Sequence, residues 1–289
     1  MTQSDSERLT TGFLSQIRES PFLIAPERAI ELVNEMGGET WPLDFGSGSA
    51  NFEALPNAKT IEGTYAALLS LWAVAASVWW MFSTARMARD AGYEQIDLMT
   101  LPAGRMAMDL KQAALEIIRN PDAPWHETLP DPDPGASRSS FDGVINNLFL
   151  AAVSFVVLHE IGHLVKDHQA YSGRSHDQER EADEWAIAWI MKSPPSDKHR
   201  DFRAAAICVA FVWIGLIDEV RRSKDTHPPA HQRLGEAFKY FDTLGDESLA
   251  FEISSYALKA YFDPGSENPA EESPLDGFIS SLMTYSRSE

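Results

Sequence analysis

The sequence predicts a mainly α-helical protein of the α+β class, and three observations carry that reading. Three apolar runs free of Asp, Glu, Lys and Arg occur at 63–84, 143–158 and 204–217, and helices apolar all round are buried helices. Met106 to Arg119 has the spacing of an amphipathic helix. Trp41 to Ile61, punctuated by Pro42, Gly46, Gly48 and Pro56, is the place for short strands, read as a small antiparallel sheet.

In chain order, residues 1–37 read as helix, turn and helix around Pro21 and Pro26. The run at 63–84 is long enough to span a bilayer. Its small-residue stripe Ala66, Ser70, Ala73 and Ser77 suits close helix packing in water or lipid alike. With two further runs of similar character, all three are read as one packed helical core, and a membrane span is the lesser alternative. The proline-rich stretch 120–135 reads as a surface connection rather than a lid. The second run belongs to a helix starting at Phe141, with Ser139 as its capping residue and Lys166 and His168 where the negative end of the dipole favours cations. Cys208, the single cysteine, lies in the third run and reads as core packing. From Ala260 to Ser286 there is no Lys or Arg, which reads as an acidic, partly mobile tail.

The 289 residues, 44% hydrophobic, suffice for one sizeable core. The expectation is a single domain over 1–289, with N-terminal helices and strands at 1–62, a helical core at 63–240 and an acidic C-terminal region at 241–289. Forty-three acidic against 24 basic residues give a net charge of −19. That charge disfavours nucleic acid and anionic membrane surfaces and suits a basic segment on a partner. No secretion pattern opens the chain, so a cytoplasmic location is expected.

The chemistry lies in three clusters. His159-Glu160-Ile161-Gly162-His163 is HExxH at the end of the second run, which on a helix stacks two imidazoles one turn apart beside a carboxylate, the donor pattern of zinc hydrolases. Such groups are costly in an apolar helix unless paired or coordinating. Downstream, Glu179 and Asp183 are four apart on one helical face. Glu179 is read as the third metal ligand, and Asp183 as the partner of a ligating ring N–H. Glu181 competes with Glu179 for the metal but reads, with Glu184, as solvated surface. Third comes His227-Pro228-Pro229-Ala230-His231-Gln232-Arg233, where the prolines fix a bend before a new helix. His126, His168, His176, His199 and His231 are read as surface residues.

HExxH, then ExxAD, then HPPxxxR resembles the pattern of gluzincin metallopeptidases of the HtpX and CAAX-prenyl endopeptidase type. A closer resemblance, from about Ser20 to about Arg233, is to the Lit family of bacterial phage-exclusion peptidases. It includes the EREAD segment Glu179–Asp183 and the stretch Ser20-Pro21-Phe22-Leu23-Ile24-Ala25-Pro26-Glu27. This resemblance implies a zincin-like fold and one Zn²⁺ per chain held by His159, His163 and Glu179. It implies Glu160 as general base toward a metal-activated water, His227 as donor to the tetrahedral oxyanion, and Arg233 as an anchor for the site carboxylates or the substrate. It further implies cleavage of elongation factor Tu once a phage-derived peptide associates with the protein. Two other readings are an HtpX-type quality-control peptidase at a membrane and a catalytically silent, zinc-stabilised interaction protein.

Overall fold

The computed structural model describes residues 3–93, 97–168, 175–221, 227–264 and 273–288. Helices α1 (Asp5–Thr10), α2 (Leu14–Leu23) and α3 (Ala29–Glu35) open it. Contrary to the expected turn at Pro21, α2 runs through that residue. The Ile17 carbonyl, which loses its usual N–H donor there, accepts the Ser20 hydroxyl at 2.9 Å instead. The turn falls at Pro26.

Strands β1 (Leu43–Gly46), β2 (Phe52–Leu55) and β3 (Thr60–Thr64) lie within and just past the stretch expected for them, in the order β1-β3-β2. The sheet is mixed rather than antiparallel. β2 and β3 form an antiparallel pair in which Glu53 faces Glu62, whereas β1 runs parallel to β3 with Leu43 opposite Ile61. The chain leaves β1 and crosses over before starting β2, so the third strand, not the second, lies beside the first. β2 is thereby an edge strand.

β3 passes directly into α4 (Tyr65–Asp90), whose first turn is capped by Thr64 Oγ1 accepting the Ala67 N–H at 3.1 Å. α5 (Pro102–Arg119), α6 (Phe141–Val165), α7 (His176–Met191) and α8 (Asp197–Arg221) complete the helical core, and α9 (Ala230–Ala237), α10 (Leu249–Phe262) and α11 (Pro274–Ser288) close the chain. α4 and α6 are long and apolar enough to cross a membrane, yet 83% of the apolar window of each is buried inside the protein. The small-residue stripe of α4 is wholly interior and uses its hydroxyls: Ser70 Oγ accepts the Trp213 indole N–H at 2.9 Å and Ser77 Oγ donates to the Ala107 carbonyl at 2.6 Å. Asn146 of α6 accepts the Trp72 indole N–H at 3.0 Å, so the three apolar runs are cross-linked by buried hydrogen bonds.

The stretch 120–135 is a packed connection. Its Trp125 is buried, donates its backbone N–H to Asp5 at 3.0 Å and stacks edge-on against Trp72. Of the expected tail, residues 265–272 lie outside the described residues; from Pro274 onward it is corrected by α11, which plants Phe278 and Tyr285 in the core, with Phe278 5.5 Å from the Phe251 ring. Acidic composition had masked apolar residues spaced for one helical face. The N-terminal stretch also finds its role here. Glu27 pairs with both terminal nitrogens of the fully buried Arg203, which donates to the Ile190 carbonyl at 3.0 Å. Arg28 donates to the Trp189 carbonyl at 2.6 Å and lies over the Trp189 ring. These guanidiniums satisfy the unpaired carbonyls at the C-terminal end of α7, the helix that carries Glu179 and Asp183.

Candidate active site

Helix α6 starts at Phe141 as expected, but its capping residue is Ser140 rather than Ser139, the Ser140 hydroxyl accepting the Gly143 N–H at 3.1 Å. Its last two turns carry HExxH, and His159, Glu160 and His163 are all buried. α7 starts at a reciprocal capping box between Ser175 and Gln178, which puts Glu179 in its first full turn facing α6. Gly162, a free position in the motif, is not free in the fold. A Cβ there would lie 3.2 Å from the Ala182 backbone and 3.3 Å from the Trp185 ring, so glycine permits the approach of α7.

That approach brings the predicted ligands together. His159 Nε2 and His163 Nε2 are 3.1 Å apart, and each lies 3.3 Å from an oxygen of Glu179. Ligand atoms of these three residues fall within 4.8 Å of one another. Both Glu179 oxygens are fully buried without a well-formed hydrogen bond, an arrangement costly for a carboxylate unless it meets a cation. Two converging imidazole nitrogens and one buried carboxylate without a well-formed hydrogen bond are a donor set suited to zinc. The residues present therefore fit a metal ion. Glu181 turns instead to His168, so the competition between it and Glu179 falls to Glu179 on geometry.

Asp183 lies one turn beyond Glu179 and accepts from His159 Nδ1 at 2.8 Å. Arg233 of α9 grips Asp183 through two bonds, at 2.6 and 2.7 Å. The electrostatics follow. Burial works against the charged forms, yet Asp183 and then Glu179 outweigh it and raise His159 to about 9. Burial likewise opposes ionisation of Glu179, but the His159 and His163 imidazoles prevail and hold its carboxyl far below the ordinary range. Asp183 is also held below its ordinary value, burial being outweighed by the Arg233 charge and His159.

His227 stands before α9 as the prolines require, half exposed, with Nε2 3.4 Å from Glu179 Oε2. Glu160 Oε2 accepts the backbone N–H of Ala54, on the outer edge of β2, at 2.7 Å. A cleft opens in front of these groups, walled by Phe52, Phe155, Trp213, Ile214 and Ile217, with Asp218 and Arg221 at its polar side. No residue of 120–135 lines it. Two expectations for histidines are corrected. His168 is buried, its Nδ1 2.9 Å from His163 Nδ1, and His231 is half-buried edge-on to Tyr285. His168 lies beyond the end of α6, where helical spacing gives no prediction; its short distance from HExxH was the available signal. Ala54 acts through its backbone, which leaves no mark in sequence.

An HExxH helix packed against a second, carboxylate-bearing helix and opening on a cleft beside a strand edge fits a hydrolase. The family model described as Peptidase U49 matches residues 61–254, and the chain belongs to that family, in line with the Lit-type motifs. A relative, the cell death peptidase of Escherichia coli (strain K12), is 24% identical over 269 residues covering 86% of each chain. No solved structure matches.

Proposed function

We propose that this peptidase is a zinc-dependent endopeptidase of phage defence, a gluzincin that cleaves host elongation factor Tu when a phage-derived peptide triggers it. The observation that supports the metal-dependent reading is the buried, hydrogen-bond-poor carboxylate of Glu179 facing two converging imidazoles. His159, His163 and Glu179 hold the ion. Zinc bound there supplies Lewis acidity and lowers the pKa of a bound water. Glu160, adjacent in the motif and oriented by the Ala54 N–H, removes the proton from the attacking water and delivers it to the leaving amine. His227, half exposed at the cleft, donates to the oxyanion of the tetrahedral species. Arg233 holds Asp183, and Asp183 holds the His159 ring, which fixes that ligand's tautomer. β2, an edge strand beside the cleft, suits an extended substrate segment lying alongside it where Glu160 does not occupy its edge, and the apolar wall of Phe155, Trp213 and Ile217 suits an apolar side chain beside the reacting bond.

The targets rest on the Lit resemblance and on the cell death peptidase relative. Purified chain is incubated with elongation factor Tu, with and without a peptide from a phage capsid protein. Peptide-dependent appearance of two fragments is expected, and an intact factor under both conditions assigns the enzyme another substrate. A zinc-stabilised interaction protein without activity would keep its phenotype in Glu160→Gln, whereas the proposed enzyme loses its phenotype in that variant.

A further inference from the structure

His163 has a partner on the side away from the site, and the turn that ends α6 provides it. Lys166 ends the helix and Asp167 takes a left-handed conformation, with φ of 55°. The His168 N–H then reaches the His163 carbonyl at 3.0 Å and the Asp167 N–H reaches Leu164 at 3.3 Å, the paired bonds of a left-handed helix C-cap. This cap folds the residue after the turn back onto the residue three positions before the cap. Usually that contact is apolar. Here it is imidazole on imidazole, with Nδ1 atoms 2.9 Å apart. His168 Nε2 in turn lies 3.1 Å from Glu181 Oε2, whose side chain is 56% exposed.

We infer that His168 and Glu181 are positioning residues that fix the tautomer and ring orientation of His163 for metal binding. The inference rests on the zinc reading of the site. If His163 uses Nε2 toward the ion, its single proton sits on Nδ1 and must donate outward. His168 Nδ1 lies within hydrogen-bond reach of that proton, so it accepts. The His168 proton then sits on Nε2 and donates to Glu181. Each atom in this chain has one role and none conflicts. The chain parallels His159, whose Nδ1–H donates to Asp183. Outer partners of metal-bound histidines hold the ring and raise its basicity. Helix α7 thus supplies three carboxylates to one centre: Glu179 toward the ion, Asp183 behind His159, and Glu181 behind His163 by way of His168.

The test measures Zn²⁺ affinity of the full chain by competition with a chromophoric chelator, alongside the visible spectrum of the Co²⁺-loaded protein. His168→Ala is expected to weaken Zn²⁺ binding by about 10- to 100-fold and to shift the cobalt bands. His168→Asn, whose amide oxygen sits near the position of Nδ1, is expected to recover most of the loss, and His168→Gln, whose amide sits nearer Nε2, to recover little. Glu181→Ala gives a smaller loss in the same direction. Thermal unfolding of the metal-free variants checks folding, and should His168→Ala fail to fold, the Asn and Gln variants decide by their difference. Affinity and spectrum unchanged in His168→Ala, or equal affinities for Asn and Gln, overturn the inference and leave the zinc reading standing. A wild-type chain that binds no zinc overturns both.

Discussion

Glu160 lies next to a predicted ligand and lines the same cleft, but one of its oxygens accepts the Ala54 N–H of β2 and it is not among the three converging ligands. That separation of roles predicts that Glu160→Gln retains stoichiometric zinc while peptide hydrolysis falls by about 10²- to 10⁴-fold, the usual size of a general-base contribution. Zinc analysis and turnover on one preparation check it, and full activity in the variant removes Glu160 from the mechanism. Asp183 and Arg233 make a second prediction, for the metal-free chain. Asp183→Asn leaves the Arg233 guanidinium buried without its countercharge, and such losses cost about 3–5 kcal/mol. The folded Asp183 carboxyl lies below its ordinary 3.8, so its stabilisation is complete above that value and is lost as pH falls through the folded value. Urea unfolding should therefore show the wild-type advantage in full near neutrality and shrinking below about pH 4; an advantage independent of pH would contradict the ion pair. Most of these residues were legible in sequence because helical spacing places Glu179 over Asp183 and the histidines one turn apart. His168 was not, since its place depends on a left-handed backbone angle at Asp167 that an aspartate does not announce.

At the scale of elements, the site is a contact between α6 and α7, and its geometry depends on how closely their backbones approach. Gly162 sets that distance. Gly162→Ala places a methyl 3.2 Å from the Ala182 backbone, where no flexible side chain can yield. Relief must come from a shift of α7, at a cost of about 1–3 kcal/mol for overpacking, and Glu179 shifts with it. The expected result is a folded protein with weakened zinc affinity, checked by thermal unfolding and chelator competition together. Unchanged affinity would mean that α7 has slack the distances do not suggest. HExxH marks this glycine as a free position because the pattern records chemistry and not packing. The sheet was legible in place but not in direction, because the crossover between β1 and β2 carries no periodic signal. The helix at Pro274–Ser288 was legible in principle: Phe278, Leu282 and Tyr285 have helical spacing, but the acidic residues before them dominated the composition. The resemblance stretch Ser20–Glu27 holds no metal ligand, but Glu27 and the neighbouring Arg28 tie it to the far end of α7 through Arg203 and the Trp189 carbonyl.

For the whole molecule, the question is whether the apolar helices α4 and α6 face lipid. Composition leaves this open, because the same residues build a soluble core or a membrane bundle. The packing weighs on one side. To enter a bilayer as a span, α4 would have to surrender the Ser70–Trp213 and Ser77–Ala107 bonds and pull Arg86 and Arg89 from the buried Glu252 of α10. Each broken bond leaves a polar group without a partner in hydrocarbon. Insertion of α6 would carry His159, Glu160 and His163 with it and dismantle the site, since the carboxylate partners of both histidines lie on α7 and Glu160's N–H donor lies on β2. A net charge of −19 also repels anionic headgroups. The protein expressed in bacteria is therefore expected in the supernatant after high-speed centrifugation, and any fraction that sediments with membranes should be released by alkaline carbonate. Retention in the carbonate-washed membrane pellet, with zinc still bound, would show that a metal-competent fold coexists with a lipid-facing helix, and would transfer the chain to the membrane-peptidase reading.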